Sequence, residues 1–182
     1  MNHDPIQRLL GEHADLMSRL EPLRAAIRSL SQDGASPPSE LVPMLRDAAL
    51  LLTTDLIAHA RREDEAFFPA VEAAIGESFG PTTVMRAEHA VIHSDADHFK
   101  ATLHELHEVQ HPAIVSGGLE LSAGVGARLD TRQLLLLAQP LLALIDDHFA
   151  KEEQVLFPMS RQLLDETKLR QVAEQMELMD AR

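Results

Sequence analysis

Histidine and glutamate recur at helical spacing in two similar segments of this sequence. His59 precedes Glu63 by four residues, and His148 precedes Glu152 by the same distance. Residues four apart share one face of a helix, so each pair can present an imidazole nitrogen and a carboxylate oxygen to one point. Both segments close with Phe-Pro at the same offset, which indicates an internal repeat.

Three further histidines extend this repeat. His13 and His89 each lie in a Glu-His-Ala tripeptide upstream of one segment, and His93 follows His89 by four residues. The complete set of candidate metal ligands is His13, His59, Glu63, His89, His93, His148 and Glu152. Neutral imidazoles and carboxylates suit iron, manganese or zinc, and a chain without cysteine has no thiolate for copper(I). The pattern predicts a two-metal site.

The remaining histidines have different surroundings, although His104 with Glu108 and His107 with His111 have the same spacing. They are His3, His98, His104, His107 and His111. His104 lies about 16 Å along a helix axis from His93, which is too far for a shared site. We interpret these histidines as solvated surface residues. The seven candidates differ because they lie in or beside apolar stripes, where an unpartnered carboxylate would be costly.

Composition favours a helical protein and narrows the class of partner. The 182 residues are 45% hydrophobic and only 3% aromatic, with leucine and alanine dominant, which favours helices over sheets. A net charge of −13 argues against a nucleic-acid partner. The most apolar run, 134–145, is too short to span a bilayer, and the N-terminus lacks the apolar core of a signal peptide. We therefore expect a cytoplasmic protein without membrane contact.

The elements that must position these residues are helices. Apolar residues at three-to-four spacing predict long helices over about 4–30, 39–75, 81–109 and 130–164, with a short fifth helix over 165–179. Asp4 and Asp130 are the expected caps of the first and fourth helices, and Pro140 should distort the fourth. We predict one all-α domain over 1–182, an antiparallel four-helix up-and-down bundle with a short extra C-terminal helix.

The order of the motifs resembles the hemerythrin-like family, also called the HHE cation-binding domain. That order is His, then His-x3-Glu, then His-x3-His, then His-x3-Glu, and it covers about residues 4–164. The resemblance implies a non-haem di-iron centre with an oxo or hydroxo bridge. The implied ligands of one iron are His89, His93 and His148. Those of the other iron are His13 and His59, and Glu63 and Glu152 bridge the two. The oxygen carriers of the family end their pattern with His-x4-Asp, so reversible oxygen carriage does not follow here.

The implied ligand set gives the two irons unequal numbers of donors. One iron receives three imidazoles and the other two. Aligning Glu12-His13 with Glu88-His89 places Met17 where the second half has His93. Our hypothesis is that a coordination position stays open because residue 17 is methionine, and an open position is where a small ligand binds. Several nearby acids could orient the histidines. Asp55, one turn before His59, is the first choice, and the alternatives are Glu12, Glu88, Asp146 and Asp147.

The function expected from this site is binding of dioxygen or nitric oxide, for sensing, scavenging or storage. One alternative is a di-iron enzyme that acts as an oxidase or peroxidase or converts nitric oxide. A second alternative is an iron-responsive regulatory module whose folding depends on metal supply. Manganese or zinc could replace iron, and the sequence indicates no protein partner.

Overall fold

Helices account for the regular structure of the chain. The computed structural model describes residues 4–33, 41–76, 80–110 and 126–181, and no strand occurs within these ranges. The elements in chain order are α1 (Pro5–Asp33), α2 (Leu41–Thr53), α3 (Asp55–Arg62), a π-helical segment π1 (Glu63–Phe67), α4 (Phe68–Ile75), α5 (Pro81–Gln110), α6 (Gly126–Lys151), a second π-helical segment π2 (Glu152–Leu156), α7 (Phe157–Leu163) and α8 (Glu166–Asp180). The predicted all-α class is confirmed.

Of the two predicted helix caps, Asp4 is confirmed and Asp130 is wrong. The carboxylate of Asp4 accepts hydrogen bonds from the backbone N–H groups of Ile6 and Gln7 at 3.0 and 3.2 Å, so it caps α1. Asp165 caps α8 in the same way. Asp130 does not cap the fourth helix, because α6 already includes it. The first and fourth helices are longer than predicted, since α1 continues to Asp33 and α6 begins at Gly126, and the remainder of the connections predicted over 31–39 and 111–128 lies outside the described residues.

The predicted helix over 39–75 is divided in the structure. Thr54, with φ −125° and ψ −71°, separates α2 from α3. Its hydroxyl donates to the carbonyl oxygen of Leu50 at 2.7 Å, and that of Thr53 donates to Ala49 at 2.7 Å. Threonine hydroxyls that bond back to the preceding turn favour a bend in a helix. The metal motif of this helix therefore starts on a short helix of its own, α3.

The proline in the fourth helix does not interrupt it. α6 continues as an α-helix through Pro140 as far as Lys151. The departure from α geometry falls instead at Glu152, the first residue of π2. Pro140 therefore does not end the helix, and the departure from α geometry lies about three turns later, at a candidate metal ligand.

Two apolar clusters enclose the middle of the helices. One is rich in leucine and includes Leu16 of α1 and Ile92 of α5. The other includes Leu9 of α1, Met85 of α5 and buried residues of α8. His13 therefore lies between the two clusters along α1, and His89 lies between them along α5. None of the described helices is both long and apolar enough to cross a membrane.

Candidate metal centre

Two groups of buried side chains bring metal-binding atoms together between the apolar clusters. The first group is His13, His59, Glu63 and Glu152, and the second is Glu63, His89, His148 and Glu152. Within each group the donor atoms lie within 4.8 Å of one another. Because the two glutamates belong to both groups, they connect the groups. All six residues are at most 3% exposed.

The first group is formed by α1, α3 and the two π-helical segments. Nε2 of His13 lies 3.0 Å from Nε2 of His59 and 3.3 Å from a carboxylate oxygen of Glu152. Nε2 of His59 lies 3.3 Å from a carboxylate oxygen of Glu63. Each histidine thus directs the same ring nitrogen toward the shared glutamates.

The second group repeats this geometry with α5 and α6. Nε2 of His89 lies 3.0 Å from Nε2 of His148 and 3.4 Å from a carboxylate oxygen of Glu63. Nε2 of His148 lies 3.6 Å from a carboxylate oxygen of Glu152. The internal repeat of the sequence therefore appears as two similar groups of donors that share their carboxylates.

A carboxylate holds the opposite ring nitrogen of each of these four histidines. The Nδ1 pairs are His13 with Glu153 at 2.9 Å, His59 with Glu12 at 2.9 Å, His89 with Asp64 at 3.1 Å and His148 with Glu88 at 3.0 Å. An ionised carboxylate only accepts, so Nδ1–H donates and Nε2 keeps its lone pair toward the interior. This is the tautomer that a metal ligand needs.

These four acids follow a rule along the sequence. Glu12 and Glu88 immediately precede a histidine of one helix and hold the histidine of the next. Asp64 and Glu153 immediately follow a shared glutamate and likewise reach across to another helix. The four contacts link α1 to α3, π1 to α5, α5 to α6 and π2 to α1. They therefore form a closed ring around the site.

Basic side chains keep two of these acids ionised. Burial opposes ionisation of Glu12, but hydrogen bonds from His59 and Arg8 and the charge of Arg62 outweigh it and lower its pKa to about 2. Burial also opposes ionisation of Glu88, whose pKa is nevertheless lowered, chiefly by Lys151. Arg62 and Lys151 each stand directly before a shared glutamate, so this feature repeats as well.

The shared glutamates are the least satisfied groups of the site. Neither carboxylate oxygen of Glu63 or Glu152 has a hydrogen-bond partner, although each residue is fully buried. Burial, and then the charge of Glu63, raises the pKa of Glu152 to about 8. Burial likewise raises the pKa of Glu63 well above its usual value. Four buried carboxylate oxygens without donors fit bound cations, which would replace the missing hydrogen bonds.

His93, the seventh predicted ligand, lies beside the second group rather than within it. Its ring is stacked on that of His89, with centroids 6.2 Å apart and an angle of 3° between planes. Its Nε2 is buried and has no hydrogen-bond partner. Burial, and then the charge of His89, lowers the pKa of His93, which favours the neutral form that binds metals.

Met17, the counterpart of His93 in the first half, is bound differently. Its sulfur lies 3.2 Å from the guanidinium of Arg24, which donates to it. Arg24 also donates to Asp146 at 2.7 Å. The side chain of Met17 packs against the leucine-rich cluster, so residue 17 has the core-packing role of an ordinary apolar residue.

Asp55 is not the partner of His59, so this prediction was wrong. Its carboxylate pairs with Arg19 at 2.5 Å on the surface, and Glu12 holds His59 instead. Side chains of a helix tilt toward its N-terminus, so the short Asp55 side chain points away from a residue one turn later. Asp64 and Glu153 were missed, although an acid directly after each shared glutamate was a usable signal.

The π-helical segments begin at the shared glutamates. The backbone N–H of Phe68 donates to the carbonyl oxygen of Glu63, five residues earlier, and Phe157 donates to Glu152 in the same way. The next residue in each case is a proline without an N–H. Single π-helical turns occur often at functional sites. The Phe-Pro pairs were recognised as part of the repeat, but this consequence was not foreseen.

Side chains from two other helices donate to backbone carbonyl groups of π1. Arg86 of α5 donates to the carbonyl oxygen of Asp64 at 2.9 Å, and Gln175 of α8 donates to that of Glu65 at 2.8 Å. Arg86 also donates to the carboxylate of Asp64 at 3.2 Å. These contacts stabilise π1 from two neighbouring helices.

Phenylalanine rings cover the imidazoles of both groups. Phe149 is stacked on His13 with centroids 3.8 Å apart and an interplanar angle of 10°. Phe68 is stacked on His89 at 5.7 Å and 11°. These rings restrict the orientation of the imidazoles and keep water from their faces, in addition to packing the core.

A surface cleft of about 400 Å³ borders His59. Its walls come from α1 and α3 and are formed by Arg8, Gly11, Glu12, Asp15, Leu16, Arg19, Asp55, Ala58, His59 and Arg62. A Cβ atom added at Gly11 would meet no atom within 4 Å, so this residue keeps one wall open. The cleft therefore brings solvent next to His59, at the outer side of the first group.

The remaining histidines have the positions expected of surface residues where the structure describes them. His98 and His104 are exposed on α5. His3 and His111 lie outside the described residues, and the side chain of His107 does too.

The helical fold and the two donor groups are those of a protein that can bind metal cations. The sequence model of the hemerythrin HHE cation binding domain matches residues 4–160. The chain therefore belongs to this family, and the predicted resemblance is confirmed. No curated protein and no solved structure matches the chain significantly.

Proposed function

We propose that this chain is a non-haem di-iron protein that binds dioxygen or nitric oxide, for sensing, scavenging or storage. In this proposal the helices form an antiparallel four-helix bundle with α8 added. The ligands of the two ions are His13, His59, Glu63, His89, His93, His148 and Glu152. The observation that supports it best is the set of four partnerless carboxylate oxygens shared by two histidine groups.

The chemistry of the donors favours iron. Imidazole nitrogens and carboxylates, without sulfur, suit iron in its common oxidation states, and two carboxylates can each bridge a pair of ions. Bound iron would supply a redox-active centre to which a diatomic ligand can bind. The chain itself fixes the tautomers through Glu12, Asp64, Glu88 and Glu153 and excludes bulk water with phenylalanine rings.

The first group is the side where we expect the diatomic ligand. His93 gives the second group an additional imidazole, whereas Met17 stands at the equivalent position of the first. The sulfur of Met17 accepts a hydrogen bond from Arg24, so it is not free to act as a ligand in this arrangement. The cleft reaches the same group through His59. Fewer protein donors and a route from solvent therefore coincide.

Metal content and visible spectra test this proposal. We expect about two iron ions per chain in protein purified without added metal. We also expect an absorption change when the anaerobic reduced protein meets air or nitric oxide. Stoichiometric zinc in a colourless protein that shows no such change would refute it. A Glu63→Gln/Glu152→Gln double variant is the matched negative control, because it keeps the side-chain volumes and removes both charges.

A second candidate function is an iron-responsive regulatory module. Two buried acids without hydrogen-bond partners make the interior costly without cations, so stability should depend on metal supply. Comparison of helicity and protease resistance with and without a chelator tests this. Loss of the folded state on chelation would support it, and unchanged protease resistance would contradict it.

A further inference from the structure

The C-terminal helix α8 lies beyond residue 160, where the family match ends, yet it contacts the metal centre's supporting residues. Its apolar face is seated in the core. Val172 and Met176 are buried against the cluster that contains Ile6 and Phe67. This packing fixes α8 beside α1 and π1, so the polar side chains of α8 have defined positions.

Two polar side chains of α8 reach residues next to candidate ligands. Gln175 donates to the backbone carbonyl of Glu65, two residues after the shared Glu63. Asp180 accepts from Arg8 at 2.7 Å and from Arg62 at 2.9 Å. Arg62 directly precedes Glu63, so both contacts bear on π1.

The two arginines continue the connection to His59. Arg8 donates to Glu12 at 2.9 Å, and Arg62 donates to Glu12 at 3.3 Å. Glu12 in turn accepts from Nδ1 of His59 at 2.9 Å. Asp180 therefore fixes two guanidinium groups, which fix the acid that orients a candidate ligand of the first group.

The acid that orients His148 in the second group is held without α8. This acid, Glu88, is bound by Lys151, and Lys151 is paired with Asp147 of its own helix, α6. A change at Asp180 should therefore act on His59 and leave His148 oriented as before. This difference separates a positioning role from a general loss of stability, which would affect both groups.

We propose that Asp180 is a positioning residue for His59, and that docking of α8 and retention of the ion in the first group stabilise each other. The inference rests on the proposed function, since it requires that the first group binds a metal. Linkage between the two events is reciprocal: if α8 holds the ion, the ion must also hold α8 in place.

Timed release of metal to a chelator tests the first part of the inference. In Asp180→Asn we expect one ion per chain to leave about tenfold faster than in the wild type. Loss of a residue that orients a metal ligand typically weakens metal binding by about this factor or more. The other ion should leave at the wild-type rate. Asp180→Glu, which keeps the charge, should restore slow release. Glu174→Gln, an exposed acid of the same helix, is the matched control and should behave as wild type.

Hydrogen exchange of the α8 amides tests the reciprocal part. In the wild type, bound metal should slow exchange over residues 166–180, and in Asp180→Asn this difference should disappear. Helicity of each variant shows that it folds. Equal release rates in wild type and Asp180→Asn, or equal acceleration of both ions, would overturn the inference. Failure of the wild type itself to bind metal would instead refute the proposed function.

Discussion

Glu12 accepts a hydrogen bond from Nδ1 of His59 at 2.9 Å, while its chain neighbour His13 faces the other ring nitrogen of the same histidine at 3.0 Å. One dipeptide of α1 thus contacts both ends of one imidazole. Glu88 and His89 do the same to His148. The Glu-His dipeptide is therefore a functional unit in which the acid orients one candidate ligand and the histidine is itself another.

Replacement of Glu12 should weaken metal binding without loss of the fold. Glu12→Gln keeps the size of the side chain but removes the charge that favours Nδ1–H on His59, so we expect affinity to fall about tenfold. Competition with a chelator of known affinity measures the effect. Asp15→Asn, an exposed change one turn later on α1, is the control. Equal affinities of Glu12→Gln and wild type would contradict the orienting role.

Replacement of Met17 by histidine should slow binding of dioxygen or nitric oxide. The new imidazole would stand at the position that His93 has in the second half and supply the first group with a further donor. Stopped-flow mixing of reduced protein with either gas gives the rate. Met17→Leu keeps the apolar volume without a nitrogen and should bind at the wild-type rate. If Met17→His binds as fast as Met17→Leu, residue 17 does not control ligand access.

The metal-free protein should lose stability as the pH rises from about 6.5 to about 8. Burial raises the pKa of Glu152 to about 8, so the folded chain holds a proton there that the unfolded chain releases. Stability supplied by that proton is lost as the pH rises through the folded pKa, at most about 1.4 kcal/mol per pH unit for one group.

The lower limit of this window comes from the histidines. Burial lowers the pKa of His148 to about 4, and the hydrogen bond to Glu88 only partly opposes this shift. Below the usual histidine pKa of 6.5, the unfolded chain therefore binds a proton that the folded chain does not, so this group makes the stability of the folded chain rise with pH. Thermal unfolding at several pH values measures the trend, and Glu152→Gln should flatten it. Metal-loaded protein should lack the decline, since a cation replaces the proton. A metal-free protein that gains stability over the same range would contradict the prediction.

A larger side chain at Gly11 should slow entry of small ligands. Gly11 lines the cleft beside His59, and an added Cβ meets no atom within 4 Å, so Gly11→Leu can extend into open space without strain on α1. We expect slower binding of dioxygen or nitric oxide with unchanged metal content. Ala14→Leu, an exposed change on the same helix that lies outside the cleft walls, is the control. Equal binding rates in both variants would mean that ligands enter elsewhere.

The candidate ligands could be predicted because helical spacing fixes which side chains share a face. His59 and Glu63 converge as expected even though the helix changes from α to π between them. The π-helical segments could not be predicted in this way, because a proline after a phenylalanine is equally compatible with a bend or a helix end. The same limit explains Asp55, since the choice of an orienting acid depends on contacts between helices, which no single-helix pattern contains.

The closed ring of acids has a consequence for how the two halves of the chain depend on each other. Glu152 completes the donors around His13 and His59, and Glu63 completes those around His89 and His148. Glu153 of the second half likewise pairs with His13 of the first, and Asp64 of the first half pairs with His89 of the second. Neither half of the chain contains all the donors of one group, and each half supplies the other with one shared glutamate and one orienting acid. A polypeptide of half this length could assemble the repeated part of this arrangement by pairing with a second copy of itself, and gene duplication and fusion would preserve the contacts that the two halves share.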